Sequence, residues 1–128
     1  MKYLFSFVVM MVITAGAVQA QKIKTGGKML RHVVLFKFKE SSSAEDIKKV
    51  EDAFRALPSK IKEIKGFEWG TNNSPEKLNQ GLTHCFFLTF ASEKDRDIYL
   101  PHPAHKAFGA VLTPYLDKAV VLDYWAKD

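Results

Sequence analysis

The chain has 128 residues, of which 47% are hydrophobic and 26% are charged, and its formal net charge is +5. This length suits one globular domain and excludes a multidomain enzyme. Lysines and arginines are spread along the chain near acidic residues and form no stripe. Nucleic-acid binding is therefore not expected, because it relies on clustered positive charge with interleaved exposed aromatic residues.

Residues 1–20 have the layout of a secretory signal peptide. Lys2 precedes an apolar run, and Val18 and Ala20 stand three and one residues before a cut after Ala20. A membrane anchor is the weaker alternative, since the run is shorter than the ~20 residues needed to span the hydrocarbon core. We expect residues 1–20 to be removed, the protein to be exported to the periplasm or secreted, and no membrane attachment afterwards.

A polar segment separates the signal peptide from the domain. Residues 21–28 contain two adjacent glycines and are expected to form a flexible leader, so the domain spans residues 29–128. Export normally permits disulfides, but Cys85 is the only cysteine in the chain. Because apolar residues follow it directly, we interpret Cys85 as a small buried hydrophobic residue rather than a reactive thiol.

The domain begins with a predicted strand and a predicted helix. Residues 30–38 are rich in β-branched and aromatic side chains, which is typical of a strand. Ser43, with Asp46 three residues later, indicates a helix N-terminus. Four apolar residues then recur at helical spacing as far as Pro58, namely Ile47, Val50, Phe54 and Leu57. This pattern predicts an amphipathic helix that ends at the proline.

Five further elements complete the domain. In chain order they are a strand at 66–70, a strand at 82–90, a short helix opening at Ser92 and ending near Tyr99, a helix at 104–116 and a strand at 120–125. Pro101 and Pro103 separate the two helices, because proline interrupts a helical hydrogen-bond ladder. The order predicts an α+β, ferredoxin-like split βαβ fold, in which helices cover one face of a four-stranded antiparallel sheet.

The sheet face away from the helices is too apolar to remain in water on a monomer. By strand alternation, its residues are Val33, Leu35, Cys85, Phe87, Val120, Leu122 and Tyr124. The simplest cover is the same face of a second copy, which gives a two-fold homodimer with a dimeric α/β-barrel core. A monomer covered by its own leader is the alternative, but residues 21–28 are too polar to serve.

Several polar side chains are predicted on the opposite, helix-facing side of the sheet. His32, His84 and Asp123 fall on this side when the strands are given a common orientation. A buried carboxylate needs a partner, and histidines are the nearest candidates. The proline-rich turn after Tyr99 brings that residue and His105 to the same region. These five residues form the candidate catalytic group.

The residue types suit acid–base chemistry in an apolar pocket. His105 can take a proton near neutral pH, Asp123 is expected to orient its ring, and Tyr99 can donate to a developing oxyanion. Six side chains are expected to line a pocket for a small apolar or aromatic ligand, namely Val34, Phe36, Phe54, Phe86, Phe108 and Val111. No HxH or HxxxH pair is present, so a histidine metal site is not expected.

Four stretches together resemble the stress-responsive dimeric α/β-barrel (Dabb) family. They are Arg31-His32-Val33-Val34-Leu35-Phe36-Lys37-Phe38, Gly81-Leu82-Thr83-His84, Tyr99-Leu100-Pro101-His102-Pro103-Ala104-His105 and Leu122-Asp123-Tyr124. The resemblance covers essentially the whole domain and implies a ferredoxin-like fold that dimerises sheet to sheet. The family includes plant polyketide cyclases, which close a linear polyketide by an intramolecular aldol step without a metal or an organic cofactor.

The same resemblance implies roles for the candidate residues. Tyr99 and His105 correspond to the residues that carry the chemistry in those cyclases. His32 and His84 correspond to inward strand histidines, and Asp123 corresponds to a last-strand aspartate. The expected activity is a cofactor-free acid–base cyclase or lyase. The alternative is a non-catalytic ligand-binding or stress-protective module, in which the histidines only complete hydrogen bonds.

Overall fold

A computed structural model describes residues 28–128 of the protein. The predicted signal peptide, residues 1–20, lies outside the described residues, as does the predicted leader apart from Lys28. Within the described part of the chain, no helix is both long enough and apolar enough to cross a membrane.

The described residues form one antiparallel sheet with helices on one side. The elements are β1 (Leu30–Phe38), α1 (Ala44–Arg55), α2 (Leu57–Lys60), β2 (Gly66–Thr71), β3 (His84–Phe90), α3 (Glu93–Tyr99), α4 (Pro103–Leu112) and β4 (Leu116–Trp125). The strand order is β2-β3-β1-β4, and every neighbouring pair is antiparallel. This arrangement confirms the predicted α+β, ferredoxin-like fold.

Helix α1 begins where the sequence predicts. The Ser43 hydroxyl accepts a hydrogen bond from the backbone N–H of Asp46, and the Asp46 carboxylate accepts one from the Ser43 N–H, each at 3.1 Å. This reciprocal capping box satisfies two backbone donors at the helix N-terminus. The helix ends at Arg55 rather than at Pro58, because Pro58 lies in the first turn of α2, where a missing N–H removes no hydrogen bond.

The boundary between α4 and β4 was predicted wrongly. The helix ends at Leu112 instead of residue 116, and the strand begins at Leu116 instead of residue 120. Pro114 explains the difference, because it has no N–H with which to continue the helical ladder. Strand β3 also begins later than predicted, at His84.

The core lies between the helix-facing side of the sheet and the helices. The largest fully buried side chains are Tyr99, Phe54, Phe86, Phe90, Leu30, Leu57, Ile61, Leu88 and Val50. The ring of Phe54 on α1 lies 4.3 Å from that of Phe86 on β3 and 4.4 Å from that of Phe108 on α4, measured between centroids. These contacts join both long helices to the sheet through one aromatic cluster.

The outer face of the sheet has no cover within the described residues. The register places Val33 directly opposite Phe87 on one side and Leu122 on the other, so all three share the outer face as predicted. Leu122 is 59% exposed and Tyr124 is 47% exposed. Contiguous apolar surface of this kind marks an interaction site.

Cys85 lies on this outer face and is half-buried rather than fully buried. Burial and the nearby Glu68 carboxylate raise the pKa of its thiol. A raised pKa keeps the thiol protonated at neutral pH, so its environment does not activate it as a nucleophile.

Candidate active site

A cavity of about 300 Å³ lies between the sheet and the helices, beside the edge strand β4. Three of its lining side chains are polar, namely His32, Tyr99 and His105, and the other lining residues are apolar or glycine. Its volume is at the lower end of the range for small-molecule sites. The cavity therefore combines an apolar wall with a few polar groups at one end.

The six predicted lining residues divide into two groups. Four of them border the cavity, namely Val34, Phe36, Phe54 and Phe108. Phe86 does not border it, contrary to the prediction, and its ring packs against those of Phe54 and Trp69, at 4.3 and 5.6 Å between centroids. Val111 was predicted wrongly, since it is 37% exposed and lies about 100° around α4 from the inward-facing Leu112.

His105 is held by a main-chain group. Its Nδ1 lies 2.8 Å from the backbone carbonyl oxygen of Leu100. A carbonyl oxygen only accepts, so this hydrogen bond assigns the ring proton to Nδ1 and leaves the lone pair on Nε2. The expectation that Asp123 orients this ring was wrong, because the turn between α3 and α4 supplies the orienting group instead.

The turn that carries the Leu100 carbonyl is fixed by its own hydrogen bonds. The backbone N–H of His102 donates to the Tyr99 carbonyl at 3.1 Å, and the Nδ1 atom of His102 accepts from the Ala104 N–H at 3.1 Å. Pro103 occupies the first turn of α4, where its fixed φ angle suits a helix start. This local order holds the Leu100 carbonyl against His105.

Tyr99 lies beside His105, with 4.3 Å between the ring centroids. The residue is 1% exposed, and its hydroxyl has no hydrogen-bond partner among residues 28–128. Tyr99 is one of the residues that border the cavity. Burial also raises the pKa of Tyr99, which keeps the hydroxyl protonated as a donor across the physiological range.

The raised pKa of Tyr99 predicts a loss of stability in alkali. Above the ordinary tyrosine pKa of 10.0, the unfolded chain releases the Tyr99 proton while the folded chain keeps it, so the free energy of unfolding falls as pH rises. We expect Tyr99→Phe to remove this contribution and flatten the decline. Urea unfolding of both proteins from pH 8 to 11 measures the difference, and parallel declines would contradict the prediction.

Asp123 finds the histidine partner that the sequence predicts, but that partner is His32. The two residues are directly opposite in the β1–β4 register, and His32 Nδ1 lies 2.5 Å from Asp123 Oδ1. His32 is 4% exposed and borders the cavity, and Nε2 is the ring nitrogen that Asp123 leaves unbound. The carboxylate fixes the orientation of His32 rather than that of His105.

Sequence reasoning missed Arg96 of α3. Its Nη1 atom donates to the second oxygen of Asp123 at 3.2 Å, and its Nε and Nη2 atoms donate to Asp97. Arg96 therefore holds the carboxylate that orients His32. The only signal was its position three residues before Tyr99, on the turn of helix that precedes the site.

His84 lies apart from the other candidates, contrary to expectation. Its Nε2 is 2.9 Å from Glu51 Oε1, and its Nδ1 is 2.8 Å from Thr83 Oγ1. Both ring nitrogens are occupied, and the residue does not border the cavity. The structure therefore brings together Tyr99, His105, His32 and Asp123 but not His84.

We expect His84→Ala to reduce stability without changing the cavity. The substitution leaves the Glu51 carboxylate without its partner, which costs about 1–3 kcal/mol of unfolding free energy. Denaturant unfolding measures this loss, and binding of a small aromatic probe to the cavity serves as the second readout. A variant of wild-type stability, or one that loses probe binding while still folded, would show that this description of His84 is wrong.

The arrangement can perform acid–base chemistry in an apolar space. His105 Nε2 can take a proton, and the Tyr99 hydroxyl can donate to an oxygen that becomes negative during reaction. Across residues 28–128, no cluster of three or more His, Cys, Asp or Glu side chains could hold a metal ion.

The fold and the cavity define the class of ferredoxin-like α/β-barrel domains. Residues 30–126 match the family model of the stress responsive A/B barrel domain, Dabb. The chain belongs to this family, as its sequence motifs predict.

Two relatives illustrate the range of the family. The stress-response A/B barrel domain-containing protein HS1 of Arabidopsis thaliana is 39% identical over 95 residues, which cover 74% of this chain and 87% of that protein. Olivetolic acid cyclase of Cannabis sativa, a plant polyketide cyclase, is 27% identical over 95 residues, covering 74% and 94%. The predicted link to plant polyketide cyclases is thereby confirmed at the level of the family.

Solved structures show the same fold. The hydroxynitrile lyase from Passiflora edulis superposes with a TM-score of 0.74 and 28% identity, covering 79% of this chain and 95% of that one. A dimeric ferredoxin-like protein of unknown function from Bacteroides fragilis gives a TM-score of 0.64 and 29% identity, covering 77% and 96%. Similar proteins of this fold therefore include dimers.

Proposed function

We propose that this protein is a cofactor-free acid–base enzyme of the cyclase or lyase kind, acting on a small apolar or aromatic carbonyl compound bound in the cavity. One observation carries the proposal. The Leu100 carbonyl binds Nδ1 of His105 and leaves the Nε2 lone pair free, and His105 and Tyr99 both border the apolar cavity with 4.3 Å between their ring centroids. A base and a donor placed at one end of an apolar space are the two groups that such a reaction needs.

If the reaction is that of a hydroxynitrile lyase, Nε2 of His105 takes the hydroxyl proton of a cyanohydrin. The carbon–oxygen double bond forms as the bond to the cyanide carbon breaks, and the departing cyanide takes the proton back from His105. If the reaction is that of a cyclase, His105 takes a proton from a carbon beside a carbonyl, and that carbon attacks a second carbonyl of the same molecule. The resulting alkoxide then takes the proton back from the His105 imidazolium, and the Tyr99 hydroxyl donates a hydrogen bond to the charged oxygen in both reactions.

The similar proteins support the reaction class. One is named a cyclase and the other a hydroxynitrile lyase, at 27% and 28% identity. The two names describe different reactions, but both reactions make or break a carbon–carbon bond beside a carbonyl oxygen. The shared requirement for one base and one donor is what this chain's cavity offers.

Mandelonitrile cleavage tests the proposal, with benzaldehyde formation followed by its absorbance. We expect cleavage above the buffer rate, and a lower rate in Tyr99→Phe, which removes only the hydroxyl. Saturable benzaldehyde binding without turnover would favour the binding-module alternative. If benzaldehyde did not bind and mandelonitrile were not cleaved, both the enzyme proposal and the binding-module alternative would be contradicted.

We also propose that the working protein is a homodimer joined through the outer sheet face. The apolar character of that face and the dimeric state of similar ferredoxin-like proteins support this assembly. The cavity lies on the other side of the sheet, so dimerisation leaves it open.

Export through a cleaved signal peptide completes the proposal. Lys2, the apolar run after it and the small residue at Ala20 support cleavage after that residue. We expect Gln21 at the N-terminus of protein purified from its own source, as determined by N-terminal sequencing. Recovery of Met1 or Lys2 at the N-terminus would contradict export by this route.

A further inference from the structure

Gly109 has neither a conformational nor a packing reason to be glycine. It lies inside α4, and among the described glycines only Gly81 has a positive φ angle. A Cβ atom built on Gly109 would meet no heavy atom within 4 Å outside its chain neighbours and its own helix backbone. Glycine nevertheless weakens a helix interior relative to alanine. A residue that lowers stability without a structural reason points to a functional one.

The position of Gly109 supplies that reason. It borders the cavity and lies four residues after His105, so the two residues share one face of α4. Side chains on a helix lean toward its N-terminus. Any side chain at position 109 would therefore lean toward the His105 imidazole and occupy the space beside it.

We propose that Gly109 is a specificity-determining residue, whose missing side chain leaves room beside His105 Nε2 for the ring or branched substituent of the substrate. The chemical class of that substrate rests on the proposed function, whereas the free space beside the His105 ring rests on the geometry of α4. With a larger residue at position 109, the cavity would admit only smaller compounds to the base.

Diethyl pyrocarbonate labelling tests access to His105 without needing the natural substrate, because this reagent acylates the unprotonated imidazole nitrogen. The probe is the reagent itself, and peptide mass spectrometry of the intact, folded protein gives the rate at His105. We expect Gly109→Leu to slow labelling by roughly tenfold or more, as filling a pocket does in enzyme selectivity. Gly109→Ala should slow it less and should raise the melting temperature, because alanine is the better helix former.

Ala110 provides matched controls on the same helix, since it is exposed and does not border the cavity. Ala110→Leu should leave the labelling rate of His105 unchanged, and Ala110→Gly should lower the melting temperature without altering labelling. Wild-type labelling in Gly109→Leu, equal slowing in Ala110→Leu, or a lower melting temperature in Gly109→Ala would each overturn the proposal. Absence of mandelonitrile cleavage would count against the proposed function alone, because labelling does not depend on turnover.

Discussion

His105→Ala should lower turnover by roughly 10²–10⁴-fold, the contribution typical of a positioned general base. The loss should fall on kcat, because alanine removes the proton acceptor while the apolar walls that bind the substrate remain. The fold should survive, since the His105 ring makes a single hydrogen bond within residues 28–128, to the carbonyl of Leu100. Mandelonitrile cleavage and a thermal melt of the same preparation measure both outcomes.

His84→Ala is the matched control for this experiment. It makes the same substitution in the same fold, at a histidine that lies outside the cavity and is bonded at both ring nitrogens. We expect the control to lose stability and keep turnover, the reverse of His105→Ala. If His105→Ala retained full turnover, or if the two variants lost turnover equally, the assignment of the base would be wrong.

Val33→Asp should convert the proposed dimer to a monomer. Val33 lies in the middle of the outer face, between Phe87 and Leu122 on the neighbouring strands. In the proposed dimer this position is covered by the second copy, and an unpaired carboxylate removed from water is strongly unfavourable. The same carboxylate is solvated in a monomer, so the substitution should separate the subunits before it disturbs the fold.

Sedimentation velocity at micromolar concentration distinguishes the two states. Ala110→Asp is the control, because it introduces the same charge on the exposed side of α4, away from the outer sheet face. Circular dichroism of each variant establishes that the subunits remain folded. A folded wild-type monomer, or a Val33→Asp protein that remains dimeric, would refute assembly through this face.

The sequence predicts best those parts of the fold in which apolar side chains repeat at one clear spacing. Strand β1 was predicted with its observed bounds, because its side chains alternate between core and outer face over nine residues. The end of α4 was predicted wrongly because Leu112, Tyr115 and Leu116 fit both a helical stripe and the start of a strand. Pro114 between them was the signal that could have resolved this ambiguity.

The sequence predicts which residues form the candidate site better than it predicts their hydrogen-bond partners. Residue types and family motifs indicated Tyr99, His105 and His32, which border the cavity, and Asp123, which is bonded to His32. The partner of Asp123 depends on the β1–β4 register, which a single sequence does not reveal. The partner of His105 is a backbone carbonyl, and every residue has one, so no sequence pattern distinguishes it.

The contacts of α3 and α4 likewise depend on the tertiary structure and are not revealed by a single sequence. Arg96 reaches Asp123 across 27 positions of sequence, and only the packing of α3 beside β4 brings them together. Phe86 was expected in the cavity because it lies on the helix-facing side of its strand, and Val111 because it belongs to the apolar stripe of α4. The rotation of α4 and the depth of the aromatic cluster exclude them.

Imidazole ¹⁵N NMR of the four histidines during a benzaldehyde titration tests most directly whether His105 and His32 face one ligand cavity. We expect saturable shifts of the Nε2 resonances of His105 and His32, with His84 and His102 unmoved because their hydrogen bonds lie outside the cavity. Unshifted His105 and His32 resonances at saturating benzaldehyde, or equal shifts at all four histidines, would contradict it.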